Sequence, residues 1–224
     1  MTLFTLAAAG FTAATLTLGP APAGSAPEPV PTFDFRDCPA PPANADPGTW
    51  RCEAFVSQGT LSIRDREIPL GELRMTFAEG RVNGQYAQIF GALRHSPAHV
   101  PGAFGTTIRL RYGGHSDFRT VGNRRGELDL FAELRHPLLP AECTLGSPAK
   151  PLRSVVYDDP AVPRKVISQD PPTYYFGVVD QALTLPATQH CGPLGTLVDR
   201  HLGLPSPTGN NVFKQTTYVQ YKPL

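Results

Sequence analysis

Three stretches of the chain alternate between apolar and polar residues. Leu73, Met75 and Phe77 alternate with Glu72, Arg74 and Thr76; Ile108, Leu110 and Tyr112 with Arg109 and Arg111; Leu128, Leu130, Ala132 and Leu134 with Asp129, Glu133 and Arg135. A period of two is the mark of a strand with one buried and one wet face. Segments 53–57, 60–64, 86–93, 174–185 and 212–221, rich in β-branched and aromatic residues, extend the set of expected strands to about eight. Asn83-Gly84 falls between two of them and predicts a tight hairpin, because both central positions of such a turn need positive φ. On the last strand Phe213 and Tyr221 share a face and Tyr218 takes the other.

One segment has helical spacing. Leu194, Leu197, Val198, His201 and Leu202 follow the i, i+3, i+4 pattern, and Gly203 with Pro205 supplies the stop. One short helix near 194–202 among so many strands predicts an all-β fold, an antiparallel β-sandwich or a partly closed barrel. The alternation fades over 137–149, where Pro and small residues take over. Residues 36–224 are therefore either one β-rich domain or two halves, 36–141 and 142–224.

The chain opens differently. An apolar stretch runs over residues 3–18 and the first charge is Glu28. That length suits the core of a secretory signal peptide, although no Lys or Arg follows Met1. Pro20 and Pro22 break any helix, and small residues place cleavage after Ala23 or Ala26. Residues 1–26 are read as a signal peptide and 27–35 as a Pro-rich tail, and no later run is long enough to span a bilayer.

All 20 basic and 19 acidic side chains fall after residue 26, and a net charge of +1 gives no reason to expect nucleic acid or an anionic membrane as partner. The 21 Gly and 25 Pro fit many turns between short strands, and the excess of Arg over Lys fits a GC-rich bacterium. Four Cys without a C-x-x-C spacing, in an exported chain, read as two disulfides and not a zinc site. Three connectivities are formally open. Cys38 with Cys52 is preferred because the pair brackets a Pro-rich stretch that lacks any apolar period, and Cys143 with Cys191 because it would close a loop-rich region.

No pattern of catalytic residues emerges. A nucleophile elbow, an H-E-x-x-H pair, a Gly-rich phosphate loop and an EF-hand loop are all absent. His95 and His99 have the spacing of a helical metal pair, but Pro97 between them removes the helix. No metal or cofactor is expected. The most basic region, 109–126, is read mainly as cross-strand pairing, with Arg109 and Arg111 opposite Asp129 and Glu133. Arg119, Arg124 and Arg125 are left in the loop as a candidate binding surface, and Tyr174, Tyr175 and Tyr218 join them as aromatics able to make contacts if exposed.

Cys143-Thr144-Leu145-Gly146-Ser147, Cys191-Gly192-Pro193-Leu194-Gly195 and the run 203–211 that begins Gly-Leu-Pro-Ser-Pro, with Cys38-Pro39 and Trp50-Arg51-Cys52, resemble uncharacterised secreted proteins of actinobacteria. The resemblance implies pairing of Cys143 with Cys191 and an extracellular setting; it brings no activity, cofactor or site residue. Three functional readings follow. The first is a non-enzymatic extracellular binding or envelope-associated module, whose partner is a cell-envelope component or another extracellular protein. The second is a secreted hydrolase, which needs at least one His or carboxylate pair from distant segments to meet in a cleft, for example His115 or His136 with Asp129 or Glu133. The third is a protease inhibitor using the loop 39–51.

Overall fold

The computed structural model describes residues 29–103 and 105–224. The apolar stretch 3–18 and both cleavage sites lie outside the described residues, as do Pro27 and Glu28 of the tail.

The long strands are β1 (Arg51–Ile63), β2 (Arg66–Val82), β3 (Gln85–His95), β5 (Thr107–Asp117), β6 (Arg124–Arg135), β8 (Leu152–Asp158), β10 (Pro172–Asp180) and β12 (Asn211–Pro223). Shorter strands are β4 (Ala98–His99), β7 (Thr144–Leu145), β9 (Lys165–Gln169) and β11 (Thr188–Gln189), and helix α1 covers Gly195–Leu202. All pairings are antiparallel. The eight long strands follow one another as β5-β6-β8-β10-β12-β1-β2-β3, with β7 and β11 prolonging the sheet beside β6. The sheet curls into a half-barrel, and β12 brings the C-terminal strand between β1 and β10.

The two ends of the curl meet through side chains. Tyr112 of β5 stacks on Phe90 of β3 with centroids 3.7 Å apart. The Arg109 guanidinium donates to the His95 carbonyl at 3.1 Å, Leu110 N–H donates to His95 Nδ1 at 2.9 Å, and Phe118 N–H donates to Gln88 Oε1 at 2.9 Å. Side chains thus satisfy edge groups that no strand pairs and that an open sheet edge would otherwise leave to water.

Each alternating stretch turns its apolar residues inward. One end of the curl is filled solid by Leu61, Ile63, Ile68, Ile108, Leu134, Leu145, Leu185 and Leu202, all buried. Asn83 and Gly84 have φ of 52° and 76° and form the expected hairpin between β2 and β3. The Asp46 carboxylate accepts from both of their N–H groups, at 2.9 and 2.7 Å. Helix α1 ends at Gly203 in the left-handed region (φ 71°), as the sequence predicts. Its apolar stripe is only half used: Leu202 is buried but Leu197 is exposed.

Some boundaries differ from those expected. Segments 53–57 and 60–64 are one strand, β1, whose pairing with β2 shifts between Ser57 and Gly59. Strand β10 stops at Asp180 instead of continuing to 185, because the Asp180 carboxylate accepts from Ala182 N–H at 2.8 Å and turns the chain.

Both disulfides pair as preferred, Cys38 with Cys52 and Cys143 with Cys191. The first ties residues 31–50 down as a strap over the outer face of β1, β2 and β3. Asp37 forms a two-bond ion pair with Arg94 (2.6 and 2.7 Å), and its carbonyl accepts from the Thr76 hydroxyl at 3.1 Å. The Trp50 indole N–H donates to the Arg81 carbonyl at 2.9 Å. Gly80 makes room for this ring: a Cβ there would stand 2.5 Å from Trp50 Cγ. The strap explains why the outward Cys52, Ala54 and Val56 are as buried as a core.

Candidate ligand-binding site

Above the solid end the barrel is hollow. A cavity of about 140 Å³ is lined by Phe55, Leu73, Met75, Phe77, Leu128, Leu130, Val156, Phe176, Val178 and Val219, with Phe118 leaning in from the segment after β5. The side chains come from β1, β2, β6, β8, β10 and β12, so the cavity is the barrel lumen itself. Phe118 stacks on Phe77 at 4.6 Å, and Phe55 stacks on Phe77 at 5.4 Å, which holds the aromatic wall in place.

At the mouth the lining turns polar, with Glu53, Arg125, Arg164 and Tyr221. Glu53 is 5% exposed and hydrogen-bonds Glu79. Burial pushes the Glu53 carboxyl well above the usual range and the neighbouring Glu79 charge adds to this, with Arg51 opposing only in part. Burial pushes Glu79 upward as well, but hydrogen bonds from Tyr86, Glu53 and Arg51 outweigh it and hold Glu79 below its ordinary value. Of the two carboxyl groups, Glu53 is thus the one whose protonated form the site favours. Around them Tyr86 O–H donates to Glu79 Oε2 at 2.7 Å, Arg51 Nη2 donates to Glu79 Oε1 at 2.5 Å, and Arg51 Nε donates to Glu53 Oε1 at 3.1 Å. The Arg51 guanidinium lies over the Tyr221 ring, 4.4 Å from its centroid.

This pair is not arranged for glycoside hydrolysis. Two carboxyl groups in hydrogen-bond contact leave no space for the sugar or water that both known geometries place between groups about 5 Å or more apart. The His and carboxylate pairs named as examples for the hydrolase reading do not meet. His115 contacts Glu127 at 2.7 Å on the surface, and His136 Nδ1 accepts from Leu138 N–H. Asp129 is taken by Arg153 at 2.9 Å and Glu133 by Arg111 at 3.0 Å. Arg109 thus does not pair with Asp129, because the β6–β8 register puts Arg153 opposite that residue instead. Among the described residues no cluster of His, Cys, Asp or Glu is set to hold a metal ion.

The six surface residues singled out from sequence divide between two faces. Arg119 pairs with Asp117, and Arg124 with Glu127 and Asp117. Arg124 and Arg125 open β6 and are not loop residues. Arg125 makes a two-bond ion pair with Asp158 (2.5 and 2.6 Å) and does line the lumen. Tyr174 sits by the mouth, edge-on to Tyr221 at 5.6 Å and beneath Arg164, whose guanidinium is 4.2 Å from the ring centroid. Tyr175 and Tyr218 pack on each other at 4.7 Å on the outer face. The loop 39–51 runs along the sheet and is held there by Trp50 and Asp46, so it does not project as an inhibitory loop would.

Sequence reasoning missed the lumen. Its walls are the same alternating residues that predicted the strands, and nothing in a period of two distinguishes a filled barrel from a hollow one. The chain matches no protein-family model, no curated protein and no solved structure.

Proposed function

We propose that this protein is an extracellular, non-enzymatic binding module whose barrel lumen takes up a small, predominantly apolar molecule. The observation that carries this reading is the lumen: a cavity of about 140 Å³ with an aromatic and aliphatic wall, opening at a polar mouth. A cavity of similar volume made in a protein core stays dry and binds benzene, so the size suits a single ring or a short chain of about six carbons. Apolar walls with a few placed polar groups are the general character of small-molecule sites. Two disulfides and an apolar leader followed by small residues support export, and the resemblance to secreted actinobacterial proteins points the same way. On this reading the partner is a small molecule encountered outside the cell or at its envelope.

Met75 gives a direct test, since its methyl group lies on the lumen wall and the only other methionine is Met1. Titrating toluene into the disulfide-bonded protein labelled at methionine methyl carbons should shift the Met75 signal saturably. Val156→Phe, which fills the lumen, should suppress that shift while leaving the near-ultraviolet dichroism of the fold in place. A Met75 signal that does not move, or that moves without saturating, rejects the proposal.

A further inference from the structure

The deep end of the lumen carries polar groups that the protein itself does not use. Gln215 lines the cavity, is 8% exposed, and its Nε2 has no hydrogen-bond partner among the described residues. A buried amide donor left in that state is costly, and natural cores avoid it. One turn of the pleat away, the Ser57 and Thr217 hydroxyls, also on the lining, bond each other at 2.9 Å. Whichever of the two accepts keeps its own O–H, which has no acceptor among the described residues. Both unspent donors belong to residues that line the same inner space.

The surroundings decide what they can receive. The charged residues of the lining, Glu53, Arg125 and Arg164, stand at the mouth. Gln215 lies six positions before Tyr221 on β12, about 20 Å along the strand from that mouth. Among the described residues no cation of the lining stands at the inner end, and the acidic group nearest it in the strand register, Asp180 opposite Phe213, is buried and occupied by Ser154, Val155 and Ala182. An anionic group placed there would lose its hydration without a counter-charge. A neutral acceptor would satisfy both donors at no such cost.

We infer that the lumen recognises a neutral carbonyl compound, a small ketone, lactone or ester, which enters carbonyl first and accepts hydrogen bonds from Gln215 and the Ser57–Thr217 hydroxyl pair. This rests on the lumen being a binding site and adds the chemical class. Gln215 is then the specificity residue, since an occupant lacking the oxygen leaves its amide unpaired.

The test compares three ring compounds of nearly equal size, read by the Met75 methyl signal and by calorimetry: cyclohexanone, methylenecyclohexane and cyclopentanecarboxylate. Cyclohexanone should bind about ten-fold or more tightly than methylenecyclohexane, although it is the less hydrophobic of the two. In Gln215→Met, which keeps the length of the side chain and removes its amide, that order should reverse. Saturable binding of methylenecyclohexane equal to or tighter than cyclohexanone in the unaltered protein overturns the carbonyl assignment and leaves the lumen as a purely apolar site. Tightest binding of the carboxylate overturns it in favour of an anion site at the mouth. If none of the three binds saturably, the lumen reading fails as well.

Discussion

Glu53 shows how one residue can set the behaviour of a site. Its position on the inner face of β1 follows from the strand period, which places it in line with Phe55 and Ser57. Burial, and then the Glu79 charge, disfavour an ionised carboxylate there, so folding raises the affinity of Glu53 for a proton. The folded pKa lies above the unfolded one, so the stability this group contributes is complete below the ordinary glutamate range and is lost as pH rises toward the folded value. Glu53→Gln keeps a donor toward Glu79 and cannot ionise. Denaturant midpoints measured from pH 4 to pH 8 should therefore show the variant gaining on the unaltered protein as pH rises; a constant difference across that range would reject the raised proton affinity of Glu53. His95 bears on the same titration and has the opposite sign. Burial, then repulsion from Arg109, lowers it to about 4 against a slight upward pull from the Gly71 backbone, so its contribution is lost as pH falls from about 6.5 toward 4.

Among elements, the strap over β1, β2 and β3 is the least self-sufficient. It has no strand and no apolar period of its own, and it is held by a disulfide, the Asp37–Arg94 pair and the buried Trp50 ring. The loop it closes, with a separation of 14 residues, gives a loop-closure contribution of about 3 kcal/mol. Gly80→Ala tests the packing side of this. The added methyl group meets the Trp50 ring wall, and since that ring is buried and its N–H is held by the Arg81 carbonyl it has little freedom to retreat. The variant should lose about 1–3 kcal/mol of stability, and Trp50 fluorescence should shift to the red in the folded baseline. An unchanged spectrum and midpoint would mean that the ring moves freely and that the disulfide alone secures the strap. The need for a clip at Cys38–Cys52 was legible in the sequence for the same physical reason, the absence of any apolar period between the two residues. The strap's place on the sheet was not, because Asp37, Asp46 and Trp50 find partners 31 to 57 residues away, and local patterns carry no sign of them.

For the molecule as a whole, alternation read from the sequence identified the strands and their inward faces, and Asn83-Gly84 and Gly203 marked a turn and a helix end by their need for positive φ. The same alternation could not separate a sandwich from a barrel, since both need one buried face per strand. The choice was made by partners remote in sequence, β1 with β12 and β3 against β5. Candidate site residues were legible only where they happened to lie near the mouth, as Arg125 and Tyr174 do. Gln215, Ser57 and Glu53 carried no signal, because a polar residue on the inner face of a strand looks, in one dimension, like a small error in register.

The meeting of β3 and β5 through side chains divides the barrel into joints of two kinds. Seven neighbouring pairs of long strands are linked by backbone ladders, six of them long enough to open only when several bonds break together and one, β8 with β10, of two residue pairs backed by the Asp180 carboxylate on Ser154 and Val155. The eighth joint is a row of separate fastenings, Tyr112 on Phe90, Arg109 on the His95 carbonyl, and Phe118 N–H on Gln88, each of which can release alone. In hydrogen exchange the amides of β3 and β5 that face this joint should lose protection well before those of β1 and β12, and a uniform pattern around the barrel would contradict it. Phe118 belongs both to this joint and to the aromatic wall of the lumen. The wall is therefore a hinged panel on one side, and the hollow can change its volume without unmaking a single ladder.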